Sequence, residues 1–66
     1  MFKLIEVVAY ENDKAVCLCY ADAETDLGST LIRNGKTLTL SKGSLAYLST
    51  GEVYVYGDTW EKMGGN

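Results

Sequence analysis

A chain of 66 residues makes one domain, and a domain of this size buries only about 60% of the surface its unfolded form exposes, so its core is small. Nine acidic residues against six basic ones give a net charge of −3, which lacks the basic footprint of a nucleic-acid binder and falls short of the dense anionic face of a DNA mimic. With no histidine and only two cysteines a metal staple is hard to build, which leaves self-association as the way to enlarge the core.

Phe2 to Tyr10 reads as a first strand, rich in β-branched and aromatic residues, and Glu11-Asn12-Asp13-Lys14 as a polar turn into a returning strand, Ala15 to Tyr20. Charges at Lys3 and Glu6 interrupt the N-terminal apolar run, so it does not read as a signal peptide, and no stretch approaches the ~20 apolar residues of a membrane span. The expectation is a cytosolic product, or one assembled in the cytosol. Ala21 to Gly28 lacks strand character and is expected to be a loop or a single helical turn capped by Asp22. Thr30–Arg33 and Lys36–Leu40 flank Asn34-Gly35, the strongest local hairpin signal because both turn residues accept positive φ. Gly43 marks a bulge or bend before a strand that begins at Ser44. A last hairpin crosses Ser49-Thr50-Gly51-Glu52, and a short strand, Thr59 to Met63, follows the Gly57-Asp58 turn.

Six or seven short strands without a convincing helix predict an all-β domain over residues 1–63, either a small antiparallel barrel or a two-layer arrangement of hairpins, with 64–66 as a flexible tail. Period-two alternation places Leu4, Val8, Val16, Leu18, Leu31, Leu38, Leu40, Tyr47, Val53, Val55 and Trp60 mostly inward. In the C-terminal hairpin Leu45, Tyr47, Val53 and Val55 share one face, with Ala46, Leu48, Tyr54 and Tyr56 on the other. With Tyr47 and Val55 inward, Tyr54 and Tyr56 point out.

Catalytic chemistry has little to start from: no histidine to act as a base near neutral pH, no phosphate loop, no Gly-x-Ser-x-Gly elbow and no zinc spacing. Glu52 and Asp58 form a lone carboxylate pair in a domain with almost no interior to tune them. Asp22, Glu24 and Asp26 have the opening spacing of a calcium loop, but the sixth and twelfth positions hold Leu27 and Arg33 where such a loop needs Gly and a bidentate acid. They read as a solvated acidic loop. Cys17 and Cys19, at i and i+2 on a strand, share a face with Cα atoms ~6.7 Å apart, at the far edge of disulfide geometry, and read as two small packed thiols. No enzyme activity, cofactor or metal is expected.

Tyr47, Tyr54, Tyr56 and Trp60 concentrate the aromatic surface at the C-terminal end, where they serve both as a cluster that knits the hairpin and as a protein-contact surface. Four cations, Arg33, Lys36, Lys42 and Lys62, are too few to track a nucleic-acid backbone. Short strands without proline leave sheet edges in need of cover, which again favours self-association.

Gly43-Ser44, Ala46-Tyr47, Thr50-Gly51-Glu52-Val53-Tyr54 and a closing Trp60 together resemble the C-terminal hairpin of small proteins encoded among the structural genes of tailed bacteriophages. The resemblance covers about the last third of the chain. It implies a virion component that decorates a capsid, joins head to tail or forms the base of a fibre, by contact with another phage structural protein or with copies of itself. The same smallness, acidity and lack of catalytic groups also suit a phage-encoded inhibitor of host defence that binds a host protein or sequesters a signalling nucleotide.

If Asn34-Gly35 is the tip of a tight hairpin, Gly35→Val forces a β-branched side chain into positive φ and costs more than ~1 kcal/mol. Thermal melting reads this directly, and an unchanged midpoint overturns the turn assignment.

Overall fold

The computed structural model describes residues 1–64. It contains β1 (Phe2–Glu11), β2 (Lys14–Ala21), a 3-10 turn (Glu24–Asp26), β3 (Thr30–Arg33), β4 (Lys36–Leu40), β5 (Leu45–Leu48), β6 (Val53–Tyr56) and β7 (Trp60–Lys62). The domain is all-β, as expected. Its seven strands form one mixed sheet that is not closed into a barrel. Asn34 and Gly35, at φ 53° and 78°, both use the left-handed region at the β3–β4 tip, as the hairpin reading requires. Gly64 has φ +70°, and the rest of the tail expected at 64–66 lies outside the described residues.

β2 organises the sheet. Along one edge it pairs antiparallel with β1 over its whole length, from Glu11↔Lys14 to Phe2↔Ala21. The other edge is divided: Lys14 and Ala15 pair in parallel with Thr39 and Leu40 of β4, and Leu18 to Ala21 pair in parallel with Leu45 to Leu48 of β5. The chain therefore jogs at Ser41–Ser44, with Gly43 at φ +93°. The jog interrupts the ladder beside Cys17, and the Ser44 hydroxyl fills the gap. It accepts from the Cys17 N–H at 3.0 Å and donates to the Ser41 carbonyl at 2.8 Å, fully buried. The Ser41 N–H reaches the Ala15 carbonyl at 2.8 Å, which ties the jog to β2 from its other side.

The sheet curls strongly. β1 and β7 are separated by β2, β5 and β6, four strand spacings or about 19 Å in a flat sheet. Yet the rings of Phe2 on β1 and Trp60 on β7 lie 6.3 Å apart, edge to face. Trp60 also tilts against Tyr56 at 5.0 Å and donates its indole N–H to the Gly28 carbonyl at 2.8 Å. The core enclosed by this curl is Ala15, Cys17, Cys19, Ala21, Leu31, Leu40, Ala46, Leu48 and Tyr54, ringed by half-buried Phe2, Leu4, Val7, Leu27, Leu38, Tyr56 and Trp60.

Leu4, Leu31, Leu38, Leu40 and Trp60 thus contribute to the core as expected, whereas Val8, Val16, Leu18, Tyr47, Val53 and Val55 do not. Val8 is displaced by bulges. The β1–β2 register shifts between Leu4 and Glu6 and again between Val7 and Ala9, so Val7 faces Cys17 and Val8 is left 56% exposed. The other five are reversed because the inside of a tightly curled sheet has little room at its middle. β2 offers that space only Ala15, Cys17, Cys19 and Ala21, and puts Val16 and Leu18 on the outer face. Parity then carries Ala46 and Tyr54 inward through the pairs Cys19↔Ala46 and Ala46↔Tyr54.

Ser44→Ala removes the acceptor of one buried N–H and the donor to one carbonyl. The expected cost is ~1–3 kcal/mol, read as a fall in Tm of ~5–15 °C. Ser29→Ala, at an exposed position, leaves the midpoint in place.

Candidate interaction surface

The four aromatic residues singled out from the sequence have different environments. Tyr54 is only 6% exposed and packs in the core, so it is not an outward anchor; burial, then the Glu24 and Glu52 carboxylates, hold its phenol above the ordinary tyrosine range. Tyr56 and Trp60 are half-buried and close the seam with Phe2. Tyr47, expected inside, is 41% exposed and is the aromatic that the hairpin presents to solvent. The two-face partition of the hairpin is as read from the alternation, and only the choice of inner face is reversed.

Tyr47 belongs to a continuous apolar outer face. Residues paired directly across strands share a face, so the register draws two rows over five strands. One row is Lys3, Tyr20, Tyr47, Val53, and Met63, whose N–H bonds the Val53 carbonyl. The other is Glu6, Leu18, Leu45, Val55 and Glu61. The six central residues are all hydrophobic, and none belongs to the core. Lys3 lies 5.8 Å above the Tyr20 ring, an exposed cation–π contact that fixes Lys3 to the same face. A shallow hollow bounded by Leu45, Tyr47, Val53 and Met63 indents the face, with Glu52 and Lys62 at its margin. Those two pair at 2.9 Å. The Lys62 ammonium, with the Thr50 hydroxyl, holds the Glu52 carboxyl below its ordinary range, and Glu52 in turn holds Lys62 above its own. Two of these anchors, Leu18 and Tyr20, lie outside the C-terminal segment on which the sequence reading concentrated. The signal for them is the run Val16-Cys17-Leu18-Cys19-Tyr20, apolar at both parities.

Other features offer less. Cys17 and Cys19 are free and fully buried, and burial first, then the neighbouring Cys17, pushes the Cys19 thiol up to about 12. The acidic loop is a 3-10 turn whose N-cap is Ala23 without a side-chain bond, so Asp22 is not the cap. Asp22 and Asp26 instead meet the Met1 amine at 3.2 and 2.8 Å. A polar cleft at the opposite end of β2 is lined by Lys14 and Lys42 among Glu11, Asp13 and Asp58. Ser41 donates to Glu11 there at 2.7 Å. Three carboxylates against two ammonium groups make it a poor phosphate site.

No protein-family model matches the chain, and neither curated proteins nor solved structures show a significant similarity to it.

The two tyrosines separate core from surface. Tyr54→Ala opens a cavity and is expected to lower Tm by more than ~10 °C, whereas Tyr47→Ala shifts it by only a few degrees. Equal losses in thermal scans of the two variants overturn this assignment of faces.

Proposed function

We propose that this chain is a non-enzymatic component of a bacteriophage particle, a capsid-decoration, head-tail or fibre-base protein, that acts through protein contacts made by its outer face. The observation that carries this reading is the apolar outer face of β2, β5 and β6, where Tyr47 stands exposed and Leu18, Tyr20, Leu45, Val53 and Val55 are half-buried without belonging to the core. Exposed contiguous apolar patches on small domains mark contact sites, and their anchors are typically aromatic. The surface is centred on the hairpin whose residues resemble phage structural proteins, and Tyr47 takes the place first given to Tyr54 and Tyr56. The polar cleft, with its excess of carboxylates, lends nothing to nucleotide sequestration.

Quantitative mass spectrometry of purified particles tests the assignment. The expected result is the chain at many copies per particle, reduced by Tyr47→Asp at unchanged expression. Its absence from particles overturns the reading, and its recovery on a host protein then favours the defence inhibitor.

A further inference from the structure

The β1–β2 and β3–β4 hairpins each carry an asparagine at the tip, and the two differ in what flanks the side-chain amide. Asn12 stands between Glu11 and Asp13, whereas Asn34 stands between Arg33 and Gly35, ahead of Lys36. Asn34-Gly35 is the only place in the chain where an asparagine or aspartate precedes a glycine. Both residues of that tip are exposed, and a Cβ built on Gly35 meets nothing within 4 Å. The Gly35 N–H has no hydrogen-bond partner among the described residues.

An asparagine side chain is open to attack by the backbone nitrogen of the residue that follows it. The Gly35 nitrogen gives up its proton and bonds to the Asn34 Cγ, the bond from Cγ to the side-chain nitrogen breaks, and ammonia leaves. The product is a five-membered succinimide, which one water molecule opens. Cleavage of the new bond at Cγ leaves aspartate in a normal backbone. Cleavage at the main-chain carbonyl leaves isoaspartate, with the chain running through Cβ and Cγ.

Asn34 and Gly35, at φ 53° and 78°, form a type I′ tip, and the attack requires the peptide between them to turn over. That movement leads toward II′ geometry within the same two-residue loop, so neither strand has to unpair. It makes the folded chain slower to react than the unfolded one. Charge then separates the two asparagines. Arg33 and Lys36, paired across the strands, favour loss of the Gly35 proton and the negative charge that grows on the Asn34 side-chain oxygen. At the other tip Glu11 and Asp13 oppose the same charge, and the Asp13 side chain crowds the attacking nitrogen.

We propose that Asn34 is a site of spontaneous deamidation in the folded protein, and that its isoaspartyl product loosens the β3–β4 hairpin while β5–β6 stays intact. Aspartate suits a type I′ tip much as asparagine does. Isoaspartate puts an extra methylene into the main chain of a two-residue loop, beside the Arg33↔Lys36 pair. Arg33 also donates to the Tyr10 hydroxyl of β1 at 3.1 Å, so the disturbance reaches the contact between β1 and β3. β5 and β6 form a separate hairpin with its own turn. The inference does not rest on the virion reading and is measured on the isolated chain.

The test holds the folded chain in neutral buffer beside a urea-unfolded sample and follows both by peptide mapping and isoaspartate methyltransferase labelling. The expected result is conversion at Asn34 in the folded chain, slower than in urea, with Asn12 reacting roughly tenfold more slowly. Asn34→Gly, whose Gly-Gly tip also forms a type I′ turn, abolishes the reaction and keeps the fold by circular dichroism. The separated isoaspartyl form melts ~5 °C or more below the aspartyl form, and its β3–β4 amides exchange faster while those of β5–β6 do not. Conversion confined to urea overturns the proposal, as does equal conversion at Asn12. An isoaspartyl form as stable as the aspartyl one, or one that loosens both hairpins alike, overturns it too.

Discussion

The architecture depends on one hydroxyl group in the middle of β2's divided edge. A strand edge shared by two successive partners must be interrupted where the first partner leaves and the second arrives, and here the interruption falls at the centre of the domain. The Cys17 N–H lies at that point, beyond the reach of water, and an unpaired buried donor costs ~1–3 kcal/mol. Ser44 supplies the acceptor and returns its own proton to the Ser41 carbonyl, so a single side chain replaces a missing rung of backbone. With the jog satisfied, β4 and β5 both run parallel to β2, and two hairpins that are individually antiparallel become one mixed sheet.

The curl of that sheet decides what each side chain does. Bringing the β1 and β7 edges together over the inner face creates a core with large residues at its margins and small ones at its centre. Cys17, Cys19 and Ala46 leave the space that Tyr54, Leu48 and Leu40 fill, and Phe2 and Trp60 close the seam. The Trp60 indole bonds the Gly28 carbonyl and so ties the last strand to the loop ahead of β3. A domain of 66 residues has stability to spare for few errors, and three of its seven aromatics, Phe2, Tyr56 and Trp60, make this closure.

The same curl leaves the opposite face of β2, β5 and β6 without cover. Val16 to Tyr20, Leu45 to Leu48 and Val53 to Tyr56 are apolar at almost every position, the pattern of strands enclosed on both sides. The domain encloses them on one side only. Lys3, Glu6, Glu52, Glu61 and Lys62 stand at the margins of that face, which suits a surface that meets another protein at its centre and is wetted at its rim.

Composition and local pattern were enough to specify the strands, the hairpins and their tips. Asn34-Gly35 is a tight turn in any context because its φ values are a property of two residues, and the pairing of Ala46 with Tyr54 follows from the short turn between them. The partition of each strand into two faces was equally legible, since the pleat alternates whatever the fold. Which face lies inside was not. Apolar residues occupy both parities of β2, β5 and β6, so hydrophobicity alone favoured the bulkier set in β2, Val16 and Leu18, and with it Tyr47, Val53 and Val55. The selection of Cys17, Cys19 and Ala46 comes from the narrow interior of a curled sheet, a property of the closure between Phe2 and Trp60 and not of any strand alone. The bulges at Ile5 and Val8 were hidden for a related reason: they are defined by the register against β2, and a single strand carries no register. The sequence by itself determined the elements and their two-sidedness; tertiary structure decided the inside, and with it that Tyr54 builds the core while Tyr47 meets the solvent.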